Sequence, residues 1–367
     1  MKIVIFGLTI SSSWGNGHAT LWRGLVRALS DLGCTIVFYE RELAYYTANR
    51  DLTDVRGAKL ALYENWEHVR AAARQDIADC DVAIVSSYCP DALAASDLVN
   101  AAPAALSVFY DLDTPVTLSR MTGGEDVGYI GPRGLRDFDL VLSFTGGLAL
   151  DHLRDRLGAR RAVPLYGHVD PSLHRPTQRR PHYDADLSYL GTYALERQAA
   201  LQSLFVDAAR SRPEARFLIG GAQYPMEFPW NSNIYFVRHL PPDEHPAFFS
   251  SSRLTLNITR EPMRRMGWCP SGRLFEAAAC GTAIISDDWE GLDAFYTKGS
   301  EILIARTTAD VTAALDLSDA EIGRIAKDAR ERTLAEHTSA HRAAELLRSL
   351  QAAGASHSVA EPTMQGA

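Results

Sequence analysis

Cysteine is scarce in this chain of 367 residues, and the five present (Cys34, Cys80, Cys89, Cys269 and Cys280) are odd in number, scattered, and free of any C-x-x-C pair. That excludes a disulfide framework and offers no zinc-ligand spacing, so a reducing cytoplasm is the expected compartment. Long hydrophobic runs are also missing. The opening MKIVIFGLTI is too short to span a bilayer and has neither a basic n-region nor a small-residue cleavage site, so it reads as a first strand. No other segment approaches the roughly 20 apolar residues of a spanning helix, so a soluble protein is expected, one that could still make peripheral contact with a membrane surface. Positive charge is in deficit: 37 Lys and Arg against 45 Asp and Glu leave a net charge of -8, which disfavours nucleic acid as a partner. There is no internal repeat and no low-complexity block.

What the chain does have is alternation. In the first half, KIVIFGL, CTIVFYE, CDVAIVSS, AALSVFY and FDLVLSF are separated by helix-length amphipathic segments. After the proline-rich, basic passage VDPSLHRPTQRRPHYD the pattern restarts with DLSYLGTY, ARFLIGG, NIYFVRHL, RLTLNIT and TAIISD. Val- and Ile-rich strands alternating with helices are the signature of parallel sheets covered on both faces. The chain length suits two domains of ordinary size. The expected fold is therefore α/β, with two Rossmann-like doubly wound domains facing a cleft: residues 1–168 on the acceptor side, and residues 169–350 as a nucleotide-binding domain with terminal helices. The polar residues 353–367 read as a disordered tail.

The stretch CPSGRLFEAAACGTAIISD, residues 269–287, carries the most chemical information. Ser271-Gly272 starts a helix with little bulk, and Arg273 and Glu276 lie about one turn apart on one face. A helix N-terminus with free N–H groups suits a phosphate, and a carboxylate one turn in suits a ribose diol. Ala277 to Ala279 permit close packing on a sheet, and Gly281 is the expected stop. The competing reading is a surface helix on which Arg273 and Glu276 pair with each other.

This stretch and its surroundings resemble a known family. FEAAACGTAIISD is similar to the E-A-x-A-C-G-T-P-V-I segment of group 1 glycosyltransferases of the GT-B fold. HLPPDEHPAFFSSSRLTLNIT and VPLYGHVDPSLHRP resemble that family's loop–helix–strand and interdomain segments. TREPMRRMGWCPSGRLFEAAACG, with SSSWGNGHATLWRGLVRAL and YLGTYALERQ, looks most like the spore-maturation CgeB-type branch, over about residues 1 to 350. The resemblance implies that Glu276 holds a nucleotide ribose. One departure stands out: the family often has a second acidic residue eight positions earlier, against the transferred sugar, and here that position is Trp268.

The resemblance also implies a phosphate-binding role for Arg197, which follows Tyr193 in YLGTYALERQ. Arg264, and after it Arg260, are the further phosphate candidates, against the alternative of a solvated basic loop. In SSSWGNGHA, Gly15, Asn16 and Gly17 permit close approach to a ligand. His18 is placed where related enzymes keep a phosphate contact or a base; the alternative is a simple helix cap. Asp111 and Asp113 in YDLDTP have a spacing that holds a divalent metal in the GT-A fold. With the nucleotide motif in the second half, they are assigned instead to acceptor binding or proton transfer. No metal site is expected, and no cofactor beyond a nucleoside-diphosphate sugar as co-substrate. The expected reaction is metal-independent, retaining transfer of a glycosyl group to an acceptor hydroxyl on a small molecule, glycan or lipid-linked molecule. The alternatives are an epimerase or hydrolase of nucleotide sugars on the same fold, a non-catalytic nucleotide-sugar binder, and a transferase acting on modified DNA bases.

Overall fold

The computed structural model describes residues 1–359. By its internal contacts the chain divides into two compact units. The first is Met1–Ser12, Trp22–Tyr166 and the chain from Ala340 on; the second is Ser13–Leu21 with Gly167–Ser339.

In the first unit, seven strands form one parallel sheet: β1 (Lys2–Gly7), β2 (Thr35–Arg41), β3 (Lys59–Tyr63), β4 (Val82–Ser86), β5 (Leu106–Asp111), β6 (Leu140–Ser143) and β7 (Ala162–Pro164), in the order β3-β2-β1-β4-β5-β6-β7. The second unit has six parallel strands, β8 (Ala185–Leu190), β9 (Phe217–Gly221), β10 (Ile234–Arg238), β11 (Ser252–Asn257), β12 (Ala283–Ser286) and β13 (Leu303–Ile304), in the order β10-β9-β8-β11-β12-β13. The central strands are apolar at almost every position because helices cover both faces: β4 and β5 are buried throughout. All ten runs read from the sequence are strands. The three that sequence reading missed, β3, β7 and β13, are sheet edges of only two to five residues and largely half exposed or exposed.

The helical pattern from Ser318 resolves into two helices. Ser318 caps Asp319–Glu336 through a reciprocal capping box with Glu321. The chain then turns at His337 and Thr338, which are buried and bridge to Val169, before helix Ser339–Val359. From Ala340 this last helix groups by contact with the first unit, whereas the alternation in the sequence assigns all terminal helices to the second. It also runs through residues 353–359, the start of the expected tail, and Ala353 within it is buried. Residues 360–367 lie outside the described residues.

Both sheets reverse winding direction once, between β1 and β4 and between β8 and β11. Loops leaving neighbouring strands on opposite faces open a crevice at such a point, and this is where doubly wound sheets bind ligands. Four residues other than glycine have positive φ among the described residues, and each follows the carboxyl end of a strand: Tyr88 (65°) after β4, Gln223 (66°) after β9, His239 (49°) after β10 and Trp268 (49°) in the connection after β11. Side chains held in that region cost energy, so the surrounding packing must enforce it, and such residues cluster at working sites.

The loop after β1 is fixed by one buried carboxylate. Glu40, 1% exposed at the end of β2, accepts from Thr9 Oγ1 (2.8 Å), Ile10 N (2.7 Å), Ser11 N (3.0 Å) and Ser11 Oγ (2.5 Å). Glu40→Ala strands these donors in the interior, at a cost of about 3 kcal/mol. A urea titration of the full chain should show the first unit unfolding at markedly lower denaturant than in the parent; an unchanged midpoint would mean that water satisfies the loop equally well.

Candidate active site

The site is built where the second sheet reverses. β8 ends at Leu190 and the chain continues through Gly191 to Arg197, whose Nη1 donates to the Thr192 carbonyl (3.3 Å) and whose Nε has no hydrogen-bond partner. β11 ends at Asn257, and its connection leads to helix Gly272–Ala279. Arg273, in the first turn of that helix, spans the reversal. Its Nη1 donates to Asn257 Oδ1 (3.0 Å), its guanidinium carbon lies 5.3 Å from the centre of the Tyr189 ring, and its Nε has no partner. Gly191 leaves room beneath it: a Cβ there would sit 3.0 Å from Arg273 Nη2 and 2.9 Å from Tyr189 Oη, so a larger residue would push both side-chain ends aside. Burial, with the Arg197 charge acting in the same direction, pulls the Arg273 pKa below the usual guanidinium range.

Neither Arg197 nor Arg273 has a carboxylate partner at ion-pair distance among the described residues. The other arginines singled out from the sequence, Arg260 and Arg264, do, as does the adjacent Arg265. Arg260 donates to Glu196 (2.8 Å), and Arg264 and Arg265 both donate to Glu261 (2.8 Å each). Arg264 lies on the partly exposed short helix Glu261–Met266, where its ion pair screens it from other anions. Two guanidiniums without carboxylate partners, close enough that the Arg197 charge acts on Arg273, are chemically suited to an anion.

Helix Gly272–Ala279 supplies the rest. Ser271 precedes it without a side-chain cap, so its first N–H groups are not claimed by that hydroxyl. Gly272 leaves space beside Glu276, whose Oε1 lies 3.9 Å from an ideal Cβ there. Cys280 ends the helix and Gly281 follows at φ 77°, as its sequence position implies. Glu276 does not pair with Arg273; two histidines face its carboxylate. His174 Nε2 is 4.0 Å from Oε1 and His245 Nδ1 is 3.8 Å from Oε2.

Trp268 is placed by backbone rather than by its ring chemistry. Its N–H donates to the Glu290 carbonyl (2.6 Å) and its indole lies against Gly291, where a Cβ would be 2.4 Å from Trp268 Cδ2. Tyr193 joins an aromatic cluster with Tyr224 (ring centres 5.6 Å apart) and Phe228 (6.5 Å), and Tyr224 Oη donates to the Gly191 carbonyl (3.1 Å). The segment with Gly15, Asn16, Gly17 and His18 groups with this unit: the Trp14 and His239 rings lie 3.9 Å apart, and Asn16 Oδ1 caps the His18 N–H (3.0 Å).

Asp111 and Asp113 lie in the first unit, at the end of β5. Asp111 is fully buried and accepts from Asp113 N and Thr117 Oγ1 (3.1 Å each); burial raises its pKa to about 6. Asp113 precedes helix Thr114–Thr122 and accepts from Tyr88 Oη (3.0 Å). Sequence reading missed Asn257, His174, His245 and Glu40. Only Asn257 left a signal, as the one amide in the apolar strand RLTLNIT.

Burial lowers both histidine pKa values to about 4, against the usual 6.5, and Asp170 near His174 and Glu276 near His245 only partly offset this. Arg273 and the mutual presence of the two rings add to the lowering at His245. A histidine held neutral stabilises the fold fully above the unfolded value. That contribution is lost as pH falls from 6.5 towards 4, where the unfolded chain takes up protons that the folded chain refuses. Stability should therefore decline across that window, by on the order of 3 kcal/mol per histidine. His174→Asn should flatten the decline, measured as thermal midpoint against pH; an identical profile would place the titration elsewhere.

Residues 197–348 match a protein-family model described as glycosyl transferase-like. No curated protein matches the chain by sequence. Among solved structures, sucrose-phosphate synthase from Thermosynechococcus elongatus is similar at TM-score 0.69 and 13% identity, over 97% of this chain and 99% of that one. Anabaena HepE in complex with UDP and glucose is similar at TM-score 0.64 and 11% identity, over 96% of this chain and all of that one. An alpha-glucosyltransferase in complex with UDP and a 13-mer DNA containing an HMU base is similar at TM-score 0.65 and 14% identity, over 96% and 99%. At these identities the likeness shows the fold: two parallel-sheet α/β domains of the GT-B kind.

Proposed function

We propose that this protein is a glycosyltransferase that moves a sugar from a nucleoside-diphosphate donor to an acceptor hydroxyl, with retention of configuration and without a divalent ion. The observation that carries the reading is the pair of carboxylate-free guanidiniums, Arg197 and Arg273, with the start of helix Gly272–Ala279 and Glu276 one turn further on. In this reading the diphosphate lies against the two arginines and the helix N–H groups, and Glu276 accepts from the ribose diol. Negative charge grows on the leaving diphosphate as the glycosidic bond breaks, so cations already fixed beside it lower the barrier.

UDP is the first nucleotide to test, because two of the similar structures hold it. Assignment to the CgeB-type branch rests on TREPMRRMGWCPSGRLFEAAACG and the companion motifs. Asp111 and Asp113 are assigned to the acceptor. A carboxyl whose pKa lies near 6 is poised to exchange a proton close to neutral pH. Retention follows the resemblance of the carboxyl-terminal motifs, in which the leaving phosphate takes the acceptor proton on the attacked face. His18 is then a positioning contact.

Glu276→Ala should weaken UDP binding by roughly 1.5 to 3 kcal/mol with the fold intact, and Arg273→Ala by at least as much. Arg264→Ala, which removes an exposed ion pair, should change it by less than about 1 kcal/mol. Calorimetry in which Arg264→Ala is the damaging change and Glu276→Ala is silent would remove this reading.

Incubated with UDP-sugars and acceptors, the enzyme should release UDP after exhaustive chelation and give product with the donor's anomeric configuration by NMR. His18→Ala should slow it far less than the 100- to 10,000-fold loss of an essential general base. An inverted product together with an inactive His18→Ala variant would make His18 the base. Loss of turnover in EDTA, restored by manganese, would give Asp111 and Asp113 a metal instead.

A further inference from the structure

The residue assigned to the ribose has company that this role does not call for. Among the described residues, His174, His245 and Glu276 form the one group of three potential metal-ligating side chains whose ligand atoms all lie within 4.8 Å of one another. They come from three separate segments: the turn after Asp170, the first residue of helix His245–Ser251, and the middle of helix Gly272–Ala279. The tertiary fold alone brings them together.

The hydrogen bonding around the rings sets which atoms face inward. His245 Nε2 lies 3.3 Å from the Leu240 carbonyl, which can only accept, so Nε2 carries the ring proton. Nδ1 of the neutral ring is then a bare lone pair. It has no hydrogen-bond partner and lies 3.8 Å from Glu276 Oε2. His174 has a side chain only 3% exposed, no hydrogen-bond partner on either ring nitrogen, and Nε2 4.0 Å from Glu276 Oε1. Electron-pair donors of three side chains thus converge around the carboxylate. A ring proton tied to a backbone carbonyl, with the opposite nitrogen turned inward, is also how histidine ligands are oriented at metal centres.

We propose that His174, His245 and Glu276 form a site for one divalent transition ion of the zinc class, and that the ion competes with the donor ribose for Glu276. Two imidazoles and a carboxylate suit zinc, cobalt or nickel rather than magnesium or calcium. Ligand bonds of about 2.0 to 2.2 Å around a tetrahedral ion place the ligand atoms roughly 3.3 to 3.6 Å apart; the histidine nitrogens lie 3.8 and 4.0 Å from the carboxylate oxygens and all three ligand atoms lie within 4.8 Å of one another, so the group closes on an ion by side-chain rotation over about an ångström. The ion site stands without any assumption about the reaction. The competition rests on the ribose reading of Glu276. An ion drawing on both carboxylate oxygens leaves them less able to accept from a diol, so the ion opposes turnover, consistent with a reaction that does not require it.

The test uses the full chain, stripped with chelator and titrated with zinc chloride alone. Calorimetry, with metal content after desalting, should give about one ion per chain. His174→Ala and His245→Ala, checked for fold by circular dichroism, should each bind at least about 10-fold more weakly. The parent chain loaded with cobalt(II) gives a second readout that needs no variant: visible bands of a histidine-ligated ion. Zinc not retained by the parent, or retained as tightly by both variants, overturns the site. In a second arm, zinc-loaded protein freed of excess ion should bind UDP at least about 10-fold more weakly than stripped protein. Equal UDP affinity with zinc in place overturns the competition and the ribose role of Glu276 with it. Failure of the stripped protein to bind UDP while zinc binds overturns the donor reading and leaves the ion site standing.

Discussion

Arg273 is held at the reversal of the second sheet by groups that fix its position without neutralising it. Asn257, at the end of β11, accepts one of its hydrogen bonds; the Tyr189 ring from β8 lies beside the guanidinium; and Gly191 leaves the space it needs. An amide oxygen and a ring offer dipoles and a quadrupole, not a countercharge, so the positive charge stays available. That constraint organises the neighbourhood. A partly buried cation without a carboxylate is costly unless an anion comes to it, and a second unpaired arginine, Arg197, raises that demand.

The other arginines nearby show what ordinary stabilisation looks like. Arg264 and Arg265 share Glu261 on a single short helix, and Arg260 reaches Glu196 from a different segment. Such exposed pairs contribute little to stability, but they occupy the cations and keep them from competing for a ligand. The backbone has a parallel division. Among the described residues, positive φ at residues other than glycine falls just past strand ends at Tyr88, Gln223 and His239 and, at Trp268, in the connection that follows β11, while the strands themselves are regular. Strain is accepted where loops must point particular atoms, and the packed sheets beneath supply the stability that offsets it.

The first unit handles its own loops by a different means. Glu40 draws three successive residues of the loop after β1 onto one carboxylate, so that loop is set by buried polar contacts rather than by apolar packing. Asp111 is the opposite case. Only two of its hydrogen bonds come from close neighbours in sequence, Asp113 and Thr117, and burial dominates, so its carboxyl holds a proton far more readily than an exposed aspartate.

The sequence by itself determined the alternation of strands and helices, the restart after the proline-rich passage, and the helix from Gly272 with its stop at Gly281. These follow from local rules: apolar runs for buried strands, small residues at a helix start, glycine where φ must be positive. It did not reveal β3, β7 and β13, which are short edge strands of two to five residues with little buried surface to mark them. It named Arg197, Arg273 and Glu276, but could not say which arginines were unpaired. The Glu261 pairs are local, whereas the partner of Arg260 is 64 residues away. Nor could it bring His174 and His245 to Glu276 or Glu40 to the loop after β1. Those neighbours are far apart along the chain, and only the stacking of helices on twisted sheets decides which distant side chains share a buried space, and so which charges are left for a ligand.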